Sequence, residues 1–315
     1  MIFILLLISE LLFCRYENSS MQVLTVNPCA RSAGMADISF PAGSAEALFH
    51  NPAFLADKYF SLFAGYRYIL GEANYGAVSS KFPAGPGSAA AGGAWLANGP
   101  VDIYESGVLT GKISPYQFSA GGAYACNLRG ILMIGAGVFF LYSKLTDQYK
   151  GAGFAVNGGL VLADPLRFLK KSWTKNLQIG AVIKNAGIGP QTGTKRTELP
   201  SRIITGICYT VHADKPEMDF SAAAEIIPWS KTGRSVHTAV EAIFIFAPGI
   251  LSAGLRAGLT AGKTRDTFKD MFRCGLGITL RSMSLDYAIE MNRAGYFHNI
   301  SISLIRPSVK TGNKP

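Results

Sequence analysis

Residues 249–262 alternate with a period of two. Leu251, Ala253, Leu255, Ala257 and Leu259 fall on one face, and Ser252, Gly254, Arg256, Gly258 and Thr260 on the other. Side chains point to opposite faces only along an extended strand, so the pattern specifies β-structure with two unlike environments. It recurs at Met271–Leu280, where Phe272, Cys274, Leu276, Ile278 and Leu280 oppose Arg273, Gly275, Gly277 and Thr279. It recurs again over 177–184 and 283–290, with Lys184, Asp286 and Glu290 on the polar faces. A soluble sandwich also alternates, but its water-exposed face is rarely so rich in glycine and serine. Small residues on the polar face suit the inner wall of a barrel, where strands curve around a lumen.

The same pattern marks further candidate strands at 59–69, 73–82, 87–97, 100–110, 115–127, 130–144, 150–163, 202–213, 217–227, 235–246 and 296–305. Roughly fifteen segments of about ten residues result, the length a tilted strand needs to cross a bilayer. Even strand numbers are favoured. The weakest segment is 100–110, where Pro100 and Gly107 mark a loop over the mouth, so the count expected is fourteen. Composition agrees. Only 16% of the 315 residues are charged against 49% hydrophobic, well short of the charge a soluble surface usually carries. No apolar run reaches the roughly 20 residues of a spanning helix, apart from the N-terminus, which falls near it. The 35 glycines and 13 tyrosines fit a lumen wall and membrane-interface rings respectively. The net charge of +10 comes from Lys and Arg scattered near turns rather than gathered into a stripe, which argues against nucleic acid as a partner.

Ahead of the strands lies a different kind of segment. Residues 2–13 form an apolar core of signal-peptide length, and Cys14 follows it in a faint lipoprotein box. Residues 29–56 read as a compact irregular plug. Gly34 and Gly43 allow tight bends; Ser44 is placed to cap a helical turn over Ala45–Phe49; and Pro52 stops that turn at Asn51. Its apolar tips are Met35, Phe40, Leu48, Phe49 and Phe54. The expected division is a signal peptide over 1–22, a hatch over 23–57, a barrel over 58–305 and a polar tail over 306–315. Residues 164–175 read either as a short interfacial helix or as a polar loop, and 187–200 as a surface loop or bent strand end.

In this plug, Arg31-x-Ala33-Gly34-Met35, then Ala47-Leu48-Phe49 and Asn51-Pro52-Ala53-x-Leu55-Ala56, resemble the N-terminal signature of the PorV/PorQ family. These are outer-membrane β-barrels similar to the FadL long-chain fatty acid transporters. The resemblance resumes at 177–190, 199–209 and 285–304, with Cys29, Asp37 and Phe54 standing where that pattern has glycine, and His50 where it has an aromatic. It implies a FadL-like channel for long-chain fatty acids or other hydrophobic small molecules, seated in the bacterial outer membrane. It also implies outer-membrane lipids and the barrel assembly machinery as partners. Its alternatives are a docking or shuttle barrel of a secretion system and a structural surface barrel. The hatch residues expected at the ligand are Met35, Phe40, Phe49 and Phe54, with Gly34, Asn51 and Pro52 setting backbone shape.

No catalytic constellation holds together, and no enzyme activity, cofactor or metal is expected. The four histidines are far apart in sequence, and there is no His-Glu-x-x-His, Gly-x-Ser-x-Gly or Cys-x-x-Cys. What the inward faces do carry is mixed charge: Lys184, Asp219, Glu225, Glu241, Arg256, Arg273, Asp286 and Glu290. Charge in such a place must be paired or wet, and Asp286 with Arg273 is one cross-strand pair the spacing allows. Two readings stay open for these charges: structural packing inside a plugged barrel, or a polar wall that stops leakage while the plug governs entry.

Overall fold

A computed structural model of the chain describes residues 21–40, 43–69, 73–105, 108–146, 149–165, 176–230, 234–264, 267–268, 271–292 and 295–306. The apolar leader, most of the 164–175 segment and the tail beyond Arg306 lie outside the described residues.

Fourteen strands form the body. They are β1 (Phe60–Ile69), β2 (Ala73–Ala84), β3 (Gly87–Ala97), β4 (Tyr116–Leu128), β5 (Leu132–Lys144), β6 (Lys150–Ala163) and β7 (Leu177–Ile188). There follow β8 (Arg202–Asp214), β9 (Glu217–Ser230), β10 (Arg234–Ala247), β11 (Leu251–Thr264), β12 (Met271–Leu280), β13 (Met283–Asn292) and β14 (Gly295–Arg306). Each pairs antiparallel with its chain neighbours. β1 also pairs with β14, from Phe60 opposite Arg306 to Tyr68 opposite His298, so the sheet closes on itself and leaves no edge. The expected all-β, antiparallel barrel of fourteen strands is the fold observed. Val101–Glu105 and Val108–Ile113 stand outside the barrel sheet and pair only with each other, in a separate hairpin.

The outer face is apolar. Val138, Phe140, Leu255, Leu276 and Ile278 are each more than half exposed, an arrangement that water would penalise and lipid tails favour. Aromatic rings mark both ends of this band, with Phe60 and Phe82 near one rim and Tyr68, Trp95, Tyr116 and Tyr296 near the other. The barrel spans a membrane with strands; among the described residues no helix is long and apolar enough to do so. At the rim where β1 begins and β14 ends, most turns are tight (85–86, 215–216, 248–250 and 281–282), whereas the opposite rim carries the long 98–115 and 189–201 connections. In bacterial barrels short turns face the periplasm and long loops the outside.

The hatch, residues 21–40 and 43–57, occupies the lumen. It holds a helical turn at Gln22–Leu24, helix α1 (Ala30–Gly34), and two further turns at Ala45–Phe49 and Pro52–Ala56. The turn expected at Ala45–Phe49 forms, but Ser44 makes no side-chain cap, and its hydroxyl is buried without a partner. The turn at Pro52–Ala56 has the better start. Asn51 accepts a hydrogen bond from Ala53 N at 3.0 Å, and Pro52 occupies the first position, where its missing N–H costs nothing. Gly34 and Gly43 do not supply the sharp bend. It falls instead at Ala36 and Asp37, whose φ values of 57° and 64° are in the left-handed region that favours glycine. Asp37 is one of the positions where the PorV/PorQ pattern has glycine.

Candidate functional site: the hatch and the lumen cavity

Side chains facing the lumen meet the hatch in two chemically different ways. From residue 27 to 38 the contacts are largely ionic. Arg31 makes a two-pronged pair with Glu241 on β10, Nε to Oε1 at 2.9 Å and Nη2 to Oε2 at 2.7 Å. Arg256 on β11 reaches the same Glu241 at 2.6 Å and Asp286 on β13 at 2.6 Å. A second cluster joins Asp37 to Arg273 on β12, Arg273 to Glu290 on β13 at 3.3 Å, and Glu290 to Arg67 on β1 at 2.7 Å. Each cluster holds two cations and two carboxylates and is neutral. Asp286 thus draws its guanidinium from Arg256; Arg273, its expected partner, lies instead against Asp37 and Glu290. Burial pushes the Asp37 carboxyl up, but the charge and hydrogen bond of Arg273, with Arg67 and Asn27, outweigh it and hold Asp37 well below the usual carboxylate range.

Polar groups of the strands also satisfy the hatch backbone, which could not otherwise be buried cheaply. Ser301 accepts from Ala30 N and Asn299 donates to Asn27 O, both at 3.1 Å. Gln117 accepts from Val23 N at 3.0 Å, Ser79 donates to Ala45 O at 2.8 Å, and Lys81 donates to Gly43 O at 2.6 Å. Glu225 accepts from both the amide and the hydroxyl of Ser39, at 2.8 and 2.5 Å.

From residue 45 to 56 packing dominates. A Cβ at Gly135 on β5 would meet the Pro52 carbonyl at 2.5 Å, one at Gly159 on β6 would strike the Asn51 side chain, and one at Gly92 on β3 would meet Leu48 at 2.9 Å. Glycine on the inward face is therefore the seat of the plug, a more specific role than wall curvature. Gly34 and Gly275 make the same kind of contact elsewhere, with Gly34 on α1 pressed to the β12 backbone.

The expected ligand residues divide in this setting. Phe40 and Phe54 stack edge to face at 5.0 Å, and both are buried, as is Met35; the Phe40 ring lies against the wall, where a Cβ at Gly180 on β7 or Gly206 on β8 would strike it. Phe49 is different: it packs toward Phe63 at 6.3 Å and also lines a cavity of about 60 Å³ between the hatch and the wall. Tyr75, Phe139, Ile204 and Ile227 are among its apolar lining; its charged and imidazole lining is Asp37, His50, Lys184, Arg202, Glu225 and His237, with Asn157 and Asn185 beside them. Among the five lumen charges, Glu241, Arg256, Arg273 and Asp286 belong to the neutral clusters, while Lys184 belongs to the cavity. Its ammonium donates to Phe49 O at 2.6 Å.

Two cavity residues, Arg202 and His50, are not among the site residues expected from the sequence. Arg202 sits directly opposite Lys184 in the β7–β8 ladder. Its Nε is buried without a partner, as is Nε2 of His50. Burial, with the neighbouring Lys184 charge, pushes the His50 imidazole down to about 3, so it is neutral at physiological pH. The ladder is also irregular here. An extra residue is accommodated between β6 and β7 (between the pairs at Val156 and Gly158) and another between β8 and β9 (between Ile203 and Thr205). Bulges of this kind re-aim side chains and recur beside functional sites.

Geometry and site define a class: a membrane-spanning β-barrel closed from within by its own N-terminal segment. No family model matches the chain, and no curated protein sequence does. Solved structures do. CymD, a monoaromatic hydrocarbon channel, matches with a TM-score of 0.58 at 11% identity over 91% of this chain and 98% of its own. A mutant of TodX, also a monoaromatic hydrocarbon channel, matches at 0.55, with 12% identity over 88% of this chain and 97% of its own. A FadL homologue from Pseudomonas aeruginosa matches at 0.54, with 11% identity over 88% of this chain and 98% of its own. The fold is FadL-like, that of an outer-membrane β-barrel.

Proposed function

We propose that this protein is a passive outer-membrane channel for hydrophobic small molecules, gated by its hatch, and a member of the PorV/PorQ group of FadL-like barrels. The observation that carries the reading is the cavity at the hatch surface. There the apolar rings of Phe49, Tyr75 and Phe139 face a closed lumen rather than lipid, and an open water pore would have no use for them. Long-chain fatty acids and other hydrophobic solutes, including monoaromatic ones of the kind named for CymD and TodX, are the candidate cargo. A solute enters from the long-loop rim, lodges against Phe49, and passes when residues 45–56 shift. That half of the hatch is the one held by non-directional packing.

Phe49 is the ligand contact in this reading, and Met35, Phe40 and Phe54 support it as buried residues of the hatch. Gly34, Asn51 and Pro52 fix the backbone. Binding of oleic acid and of toluene to the detergent-folded barrel tests the assignment. Phe49→Asp weakens binding of both by tenfold or more if the assignment is right. Unchanged binding rejects it, and an empty barrel that co-purifies with a second protein transfers the case to a docking role.

A further inference from the structure

The outer wall of the barrel carries charge of one sign. Among the described residues, every carboxylate in the fourteen strands falls on the inward face of its ladder. The described outward charges of the strands are Lys144, Lys150, Arg234 and Arg306, all cations. Two of them stand together. Lys144 ends β5 and Lys150 begins β6, and the two are direct partners in that ladder. Leu141 and Ser143 are buried on the lumen side, so Lys144 lies outside, and Lys150 is exposed opposite it. The turn between them is short, with Leu145 N donating to Tyr149 O at 2.9 Å and Tyr149 N to Thr146 Oγ1 at 3.1 Å. Like charges held directly opposite destabilise a strand pair, and an anion between them offsets that.

Depth in the membrane narrows the choice of anion. The lysines lie at the long-loop rim, which faces the outside, where aromatic rings sit among lipid headgroups. Tyr116 on β4 is the other ladder partner of Lys144, and the fields of both lysines reach it. Its ring packs near Tyr142 at 5.7 Å. Further along the same outward face Phe140 and Phe154 stand opposite each other, both exposed. The patch therefore offers ammonium and phenol donors at headgroup depth, and apolar rings at the depth of the acyl chains. Directly opposed residues have Cβ atoms about 4.5–5.5 Å apart, so two ammonium groups can reach oxygens of one phosphate. A phosphate monoester carries close to two negative charges at neutral pH, which matches the pair. We propose that Lys144 and Lys150, with Tyr116, hold the phosphate of a phosphorylated lipid in the outer leaflet, its chains lying along Phe140 and Phe154. The site is on the outside of the wall and is independent of any cargo in the lumen.

Native mass spectrometry of the detergent-folded barrel tests this with lipid A, lipid A stripped of its phosphates, and inorganic phosphate as probes. Lipid A should be retained, and the stripped lipid held about tenfold less. The double variant Lys144→Gln with Lys150→Gln should lose lipid A to a similar extent, whereas Lys144→Arg with Lys150→Arg should keep it. Arg306→Gln, at the short-turn rim, should bind as the parent does. Because the glutamines relieve a like-charge pair, that double variant should melt no lower than the parent in lipid-free detergent; a marked drop would mean a structural role and overturn the site. Equal retention of lipid A by parent and double variant overturns it too, as does an equal loss in Arg306→Gln, which would mark attraction to net charge alone. Inorganic phosphate retained as well as lipid A would show an anion site without a lipid and reject the proposal.

Discussion

Residues 27–38 of the hatch are tied into the ionic clusters of β10–β13 and hydrogen-bonded to β14, whereas residues 45–56 meet β1–β7 through packing and single hydrogen bonds. Ion pairs in a low-dielectric lumen are directional, and breaking one strands its partner. Packing against glycine is close but non-directional, so a shift of a few ångströms loses contact area without stranding a charge. One half of the plug is bolted and the other is seated. As the gate proposed above, the hatch has a fixed end and a yielding end, and the cavity lies beside the yielding one.

Glu241→Ala tests the bolted half hardest. It leaves Arg31 and Arg256 without their shared acceptor, and loss of one partner of a buried pair costs about 3–5 kcal/mol. Planar-bilayer recordings should change from closed to persistently conducting. A closed record would mean that packing alone holds the plug. Gly135→Ala tests the seated half. The added methyl meets the Pro52 carbonyl, and overpacking of this kind costs about 1–3 kcal/mol; protease nicking within 45–56 should rise while conductance changes little. Smaller still, Asn51→Ala removes the cap on Pro52–Ala56, worth about 1 kcal/mol, and should lower the melting temperature by a few degrees without affecting the ionic half.

Acid separates the halves by charge alone. The Asp37 carboxyl is depressed in the folded protein, so its contribution is complete above the unfolded value of about 3.9 and fades as pH falls below it. Conductance should therefore stay low from neutral pH to about pH 4 and rise in more acid solution. In Asp37→Asn, which has no carboxyl to titrate, that acid transition should be weaker.

Much of the fold is legible in the sequence, because a two-sided strand in lipid leaves a two-sided pattern. Strands such as β11 and β12, apolar outside and small or charged inside, are readable residue by residue. Inward glycines are readable as features but not in their meaning, since nothing in the local sequence shows that Gly135 faces Pro52, far away along the chain. The Arg202 cation is hidden for a different reason. In β8 both faces are partly apolar, Ile203 and Ile207 outside and Ile204 and Cys208 inside, so alternation does not say which way Arg202 points. The bend at Ala36 and Asp37 is obscured because neither residue is glycine. Asp37 holds its left-handed backbone while tied to Arg273 and Asn27, contacts made only in the assembled barrel.

Uptake of radiolabelled toluene and oleic acid by proteoliposomes, recorded together with ion conductance, tests the central claim most directly. A hatch-gated channel for hydrophobic solutes predicts saturable uptake with the membrane otherwise electrically tight, and uptake reduced by Phe49→Asp. Uptake no faster than through protein-free vesicles, or uptake that appears only alongside free ion conductance, would contradict it.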